Sequence, residues 1–116
     1  MARALDPDQL LPLSPAVFQI LIALGGGGRH GYSIMQDEEL RAAGRLRLSP
    51  GTLYSAVRRM LDSGLIIEAP HSNPSRRRRC YRITDFGREV AQAEAARLES
   101  LLDLARARRL LPSRAE

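Results

Sequence analysis

The sequence predicts a mainly α fold with a small β-hairpin and a long C-terminal helix, and three observations carry that prediction. Ser14–Pro15, Ser49–Pro50 and Thr84 each stand before residues with helical apolar spacing, as helix caps do. Between the second and third of these starts, LIIEAP and CYRIT flank a segment of turn-forming residues, which is how a hairpin reads. From Thr84 onward, DFGREVAQAEAARLESLLDLARARRLL continues as one helix of about 25 residues, too long for a small domain to cover alone.

Ser14 caps and Pro15 opens a helix through AVFQILIAL, where Gln19 is the one polar interior residue, so this helix is expected to be largely buried. GGGG at 25–28 ends it. A second helix is expected from Gly31 or Tyr32 to near Leu40, with Tyr32 and Met35 sharing a face. After Gly44, RLRL alternates as one short strand does. Ser49 and Pro50 then open a helix through TLYSAVRRMLDSG. Its Leu53, Val57, Met60 and Leu61 form one apolar arc, while Thr52, Ser55, Arg58, Arg59 and Asp62 form the opposite one with Tyr54 at the boundary. Gly64 ends that helix. LIIEAP is a strand candidate and HSNPS a turn by composition, and Tyr81 and Ile83 alternate with Cys80 and Arg82 as a returning strand with one half-buried face. In the final helix Ala91, Glu94, Leu98, Leu101 and Ala105 recur at three and four, and Leu102, Leu104 and Leu111 widen the stripe. Such a face is expected to bury against a second copy of the chain, with Leu98, Leu101, Leu102 and Ala105 at the seam.

The composition fits one small domain. Of 116 residues, 44% are apolar and 27% charged, ordinary proportions for a chain with a packed core and unlike those of disorder. One cysteine excludes an intramolecular disulfide, and no apolar run approaches the roughly 18 residues of a membrane span. The start MARALDPDQL holds two acids and no cleavable apolar segment, so no signal peptide is expected and the cytoplasm is the expected compartment.

Charge is concentrated rather than spread. All 18 basic residues are arginine, and the formal net charge is +5. Residues 1–48 carry five arginines and five acids, and residues 84–116 carry six of each. Residues 49–83 carry seven arginines against Asp62 and Glu68, so the whole net charge lies there, as a footprint for a polyanion would. Five of those arginines fall in RRRRCYR, with Arg76, Arg77, Arg78 and Arg79 at the hairpin tip and start of its return strand.

Helix, helix, short strand, polar-faced helix and basic hairpin is the order of a winged helix-turn-helix. The polar-faced helix can enter a major groove about 12 Å wide, where short polar and arginine side chains reach base edges. The hairpin can lie on neighbouring phosphates or in the minor groove, and the planar arginine fork suits both. The candidate contacts to double-stranded DNA are Ser49, Pro50, Thr52, Tyr54, Ser55, Arg58, Arg59 and Arg76 to Arg79. Tyr54 reads more readily as a helix-flank packing residue whose hydroxyl reaches phosphate than as a base reader. The expected organisation is an N-terminal arm over 1–13, a winged helix-turn-helix DNA-binding domain over 14–83, a dimerisation helix over 84–111 and a tail over 112–116.

Other readings fit less well. GGGGRHG follows an apparent helix and lacks the spacing of a phosphate-binding loop, and no Ser, His and Asp set or HExxH is present, so an enzyme is not expected. His30 has no second histidine at ligand spacing and Asp37, Glu38 and Glu39 read as a solvated helix face, so no metal or other cofactor is expected. A winged-helix dimer that binds only protein would leave the charge of residues 49–83 without a purpose.

LSPAVFQILIAL, HGYSIMQDEE, LSPGTLYSAVRRMLDSGLI and RRRRCYRITDFGRE together resemble the PadR-like transcriptional regulators, over roughly residues 13–90. That resemblance implies a homodimeric DNA-binding repressor, sometimes responsive to a small ligand held near the dimer interface. The single helix after Thr84 is similar to the short subgroup of the family. The resemblance also implies a recognition helix over Ser49 to Ser63 and a wing over His71 to Tyr81. The chain departs from the commoner pattern in its four consecutive glycines and in Cys80, where tyrosine or lysine is frequent. Phe18, Ile22, Leu98 and Leu101 are the candidate lining of an effector pocket between subunits.

Overall fold

The computed structural model describes residues 6–26, 49–69 and 80–112. Within them lie a short 3-10 helix (Pro7–Leu10), α1 (Pro15–Gly25), α2 (Pro50–Asp62), β1 (Ile66–Ala69), β2 (Cys80–Ile83) and α3 (Asp85–Ala107). The helix expected from Gly31 or Tyr32 to near Leu40, the strand expected at RLRL, His30 and the HSNPS turn fall outside the described residues.

The three expected caps form as hydrogen bonds. The Ser14 hydroxyl accepts from the Val17 N–H at 3.2 Å, Ser49 accepts from Thr52 at 3.2 Å, and Thr84 accepts from Gly87 at 2.9 Å. Each satisfies an N–H that the first helical turn leaves without an internal partner. Pro15 and Pro50 fill the first helical position, where no N–H is needed.

α2 ends in a paired closure. The Gly64 N–H donates to the Leu61 carbonyl at 3.2 Å and the Leu65 N–H donates to the Met60 carbonyl at 2.9 Å. This requires a left-handed residue, and Gly64 has φ +77°. α3 closes in the same way, with Arg109 donating to Arg106 at 3.1 Å and Leu110 donating to Ala105 at 2.8 Å. Here the left-handed position is Arg109, at φ 59°. The helix therefore stops at Ala107, short of the expected Leu111.

The hairpin is antiparallel, pairing Ile66 with Ile83, Ile67 with Arg82, Glu68 with Tyr81 and Ala69 with Cys80. One hydrophobic cluster joins every layer: Ile20, Leu21 and Leu24 from α1, Leu53, Ala56, Val57 and Met60 from α2, Ile66 and Ile83 from the hairpin, and Val90 from α3. Tyr81 and Ile83 are buried, as the alternation predicts. Cys80 departs from it, because it is buried too. A two-stranded ribbon packed among helices can cover a small side chain on its second face at the strand end.

Two features hold the ends of the domain. Thr84 ties α3 to the end of α2: its N–H donates to the Leu65 carbonyl at 3.0 Å, and its hydroxyl donates to the Gly64 and Leu65 carbonyls at 2.6 and 3.0 Å. Glu94 ties α3 to the N-terminal arm. It is only 2% exposed, accepts from the Leu13 N–H at 3.1 Å and is gripped by Arg97 at 2.6 and 3.1 Å. The Arg97 hydrogen bonds, then the Leu13 N–H, hold its carboxyl below the ordinary range against the opposing pull of burial. The arm itself is ordered by an Asp6 and Gln9 capping box, in which the Asp6 N–H donates to Gln9 Oε1 at 2.9 Å.

Candidate nucleic-acid interface

α2 is divided lengthwise. Leu53, Ala56, Val57 and Met60 enter the core, and Leu61 packs against its edge. The opposite side leaves Thr52, Tyr54, Ser55, Arg58, Arg59 and Asp62 exposed. A helix anchored so completely on one side presents the other as a rigid ridge, which is what base-edge recognition needs.

The outward side chains have the chemistry of a groove reader. Among the described residues neither Arg58 nor Arg59 has an ion-pair partner, and both guanidinium groups keep their full donor set for phosphate or guanine. Ser49 donates its hydroxyl hydrogen to Thr52 Oγ1 at 3.0 Å while accepting from the Thr52 N–H. Ser49 is thus committed as a cap. The Thr52 hydroxyl, already accepting from Ser49, keeps its own hydrogen for an external acceptor. Tyr54 is 60% exposed. Pro50 opens the helix.

β1 ends at Ala69 and β2 begins at Cys80, and Arg76 to Arg79 lie outside the described residues. Arg82, on β2, is half-buried and already engaged.

The residues assigned to dimerisation separate along α3. Val90 and Glu94 are buried and Leu98 is half-buried, whereas Leu101, Leu102 and Leu104 are 50%, 47% and 62% exposed. The helix leaves the core after about its midpoint and carries leucines into solvent; Ala105 stays half-buried. For the suggested effector lining, α1 packs on α3, Phe18 and Leu98 are half-buried, and Ile22 is 60% exposed.

Two residues with structural consequence were missed in the sequence. Gly87 stands where a Cβ would come within 2.1 Å of the Leu65 carbonyl oxygen. A glycine in the first turn of a helix is the signal that could have found it. Ala56 is fully buried at the centre of α2, and its place on the apolar arc was available from helical spacing. Among the described residues no helix is long and apolar enough to cross a membrane, and no cluster of His, Cys, Asp or Glu is arranged to hold a metal ion.

Known proteins share both the sequence pattern and the architecture. Residues 20–93 match the model of the transcriptional regulator PadR-like family. The chain is 34% identical over 73 residues to the transcriptional regulator Rv3488 of Mycobacterium tuberculosis, a match covering 63% of this chain and 55% of that protein. It therefore spans little more than half the length of that relative. A PadR family transcription regulator from hypervirulent Clostridium difficile shares the fold at a TM-score of 0.65 and 19% identity, over 81% of this chain and 97% of that one. A transcriptional regulator from Clostridium thermocellum aligns at a TM-score of 0.62 and 25% identity, over 79% of this chain and 87% of that one. With its caps, its polar-faced α2 and its hairpin in the family order, the chain belongs to the PadR-like family of transcriptional regulators, which are not enzymes.

Proposed function

We propose that this regulator is a homodimeric, sequence-specific DNA-binding repressor of the cytoplasm, acting by occupying a promoter and relieved by a small effector. The observation that carries this reading is the outward face of α2, where Arg58 and Arg59 are unpaired among the described residues and stand beside Thr52, Ser55 and Tyr54. A rigid helix with that face fits a major groove, and the arginines of 76–79 supply charge for the flanking backbone.

The exposed leucines of the distal half of α3 favour a second copy as their cover. A two-fold pair of domains would offer two α2 helices to successive major grooves about 34 Å apart. Binding at both would gain affinity from linkage alone, so tilting one domain against the other would release the DNA. That is the route by which an effector would relieve repression.

Selecting DNA fragments from the source genome with the purified chain tests the reading. Recovery of a shared motif with two-fold symmetry and half-sites one helical turn apart is expected. Recovery of fragments with no common motif would contradict sequence-specific occupancy.

A further inference from the structure

Gly51 is a glycine that the domain itself does not ask for. It stands exposed inside the first turn of α2, without the positive φ of Gly64, and a Cβ built on it meets nothing described within 4 Å. Gly87 differs, because there the Leu65 carbonyl leaves no room for a side chain. Gly25 and Gly26 have the same open space as Gly51, but they stand at the end of α1, where a helix has to stop. At Gly51 alanine would fit without strain and would favour the helix more.

Helical spacing places Gly51, Ser55, Arg58 and Asp62 on one stripe, at steps of four, three and four, and all of them are exposed. The stripe runs opposite the Leu53, Ala56, Val57 and Met60 side chains in the core. Along it the side chain grows from none to a hydroxymethyl to a guanidinium, and ends in a carboxylate. Phosphate repels that carboxylate, so the Gly51 end is the one that comes closest to DNA. Thr52 flanks this end with the hydroxyl hydrogen that Ser49 leaves free. The short Ser55 side chain reaches a base edge only if the helix backbone comes deep into the groove, and a side chain at Gly51, one turn nearer the helix start, would stand in the way.

We propose that Gly51 is the seat of α2 in the major groove: bare at that point, the helix comes close enough for Ser55 and Arg58 to touch base edges. The proposal rests on the reading of α2 as the DNA-contacting helix. It gives a specificity-determining role to a residue that contributes no side chain, and it explains a glycine that weakens the helix by what it allows on DNA.

Unfolding, sedimentation and binding to a selected operator and a scrambled duplex, measured on full-length variants, test the seat. Gly51→Ala should unfold at or above the guanidinium midpoint of the natural chain and sediment as it does. It should nevertheless bind operator at least about tenfold more weakly, with the scrambled duplex changed by less than about twofold. Gly51→Leu should lose more. Asp62→Gln adds bulk at the other end of the same stripe and should weaken neither complex. Full-strength operator binding by Gly51→Ala, equal losses on both duplexes, or as large a loss for Asp62→Gln would overturn the proposal. So would a Gly51→Ala chain that unfolds earlier than the natural one, since its loss would then come from the fold. Ser55→Ala and Arg58→Ala on the same duplexes separate two failures: if they lose operator affinity while Gly51→Ala keeps it, the seat alone is wrong. If all three bind at full strength, or the natural chain binds neither duplex, the reading of α2 falls together with the seat.

Discussion

Replacing Gly87 by alanine adds one methyl group at the junction on which the orientation of α3 depends. The added Cβ would lie 2.1 Å from the Leu65 carbonyl oxygen and 3.0 Å from Ile83 Cγ1. Carbon and oxygen rest comfortably at about 3.3 Å, so the junction must open by more than about 1 Å. The displaced oxygen is also the acceptor for the Thr84 N–H and hydroxyl, both at 3.0 Å. Overpacking costs about 1–3 kcal/mol, and weakening those hydrogen bonds adds about 1–2 kcal/mol. The better helix propensity of alanine returns up to about 1 kcal/mol, so a net loss of about 1–4 kcal/mol is expected. Gly51→Ala is the internal control, because nothing lies within 4 Å of a Cβ at that site. It should be neutral or stabilise by up to about 1 kcal/mol. Guanidinium unfolding at matched protein concentration reads both variants, the matching being needed if subunits associate. A Gly87→Ala midpoint at or above that of the natural chain would refute the close approach and the role given to Leu65.

Glu94→Gln should destabilise the domain by about 1–2 kcal/mol at pH 7, after discounting for the partly exposed Arg97, through loss of the charge-assisted pair. Since the Glu94 carboxyl is held below 4.5 in the fold, its contribution is complete above that value and disappears as pH falls through the lower folded one. The two unfolding curves should therefore converge in acid, and a gap that persists or widens there would contradict the pairing. Replacing both Leu98 and Leu101 by glutamate should convert a dimer of twice 12.9 kDa into monomer or insoluble chain in sedimentation, whereas a folded natural monomer at micromolar concentration would defeat the dimer reading. Buried Cys80 should react with a bulky thiol reagent far more slowly in the native chain than after unfolding, and Cys80→Ser should keep its DNA affinity under mild peroxide; rapid native labelling would place the thiol at the surface.

The parts of the fold that could be read from the sequence are those decided within a few residues. Ser14–Pro15, Ser49–Pro50 and Thr84 announce helices because their side chains meet N–H groups three positions on, and Gly64 closes α2 because its conformation is costly for other residues. The polar ridge of α2 followed from helical spacing alone. What escaped depends on distant chain. Glu94 sits on an apolar stripe yet is buried, and its partner is the backbone of Leu13, which only the folded arm brings near. The need for glycine at 87 comes from the Leu65 carbonyl across the junction. The end of α3 was misplaced because Arg109 adopts the left-handed turn that composition assigns to glycine or asparagine. Cys80 broke the strand alternation because both faces of the hairpin end are covered.

If α2 reads sequence while the arginine run holds the backbone, DNA titrations across several salt concentrations separate these roles. On a selected operator and a scrambled duplex, Arg77→Ala with Arg79→Ala should weaken both complexes by similar factors and lower the salt slope by up to about two, since each lost phosphate contact removes roughly 0.9. Ser55→Ala or Arg58→Ala should cost about 1–3 kcal/mol on the operator and much less on the scrambled duplex. If the α2 variants bound operator at full strength, or lost affinity equally for both duplexes, α2 would not be the element that reads the sequence.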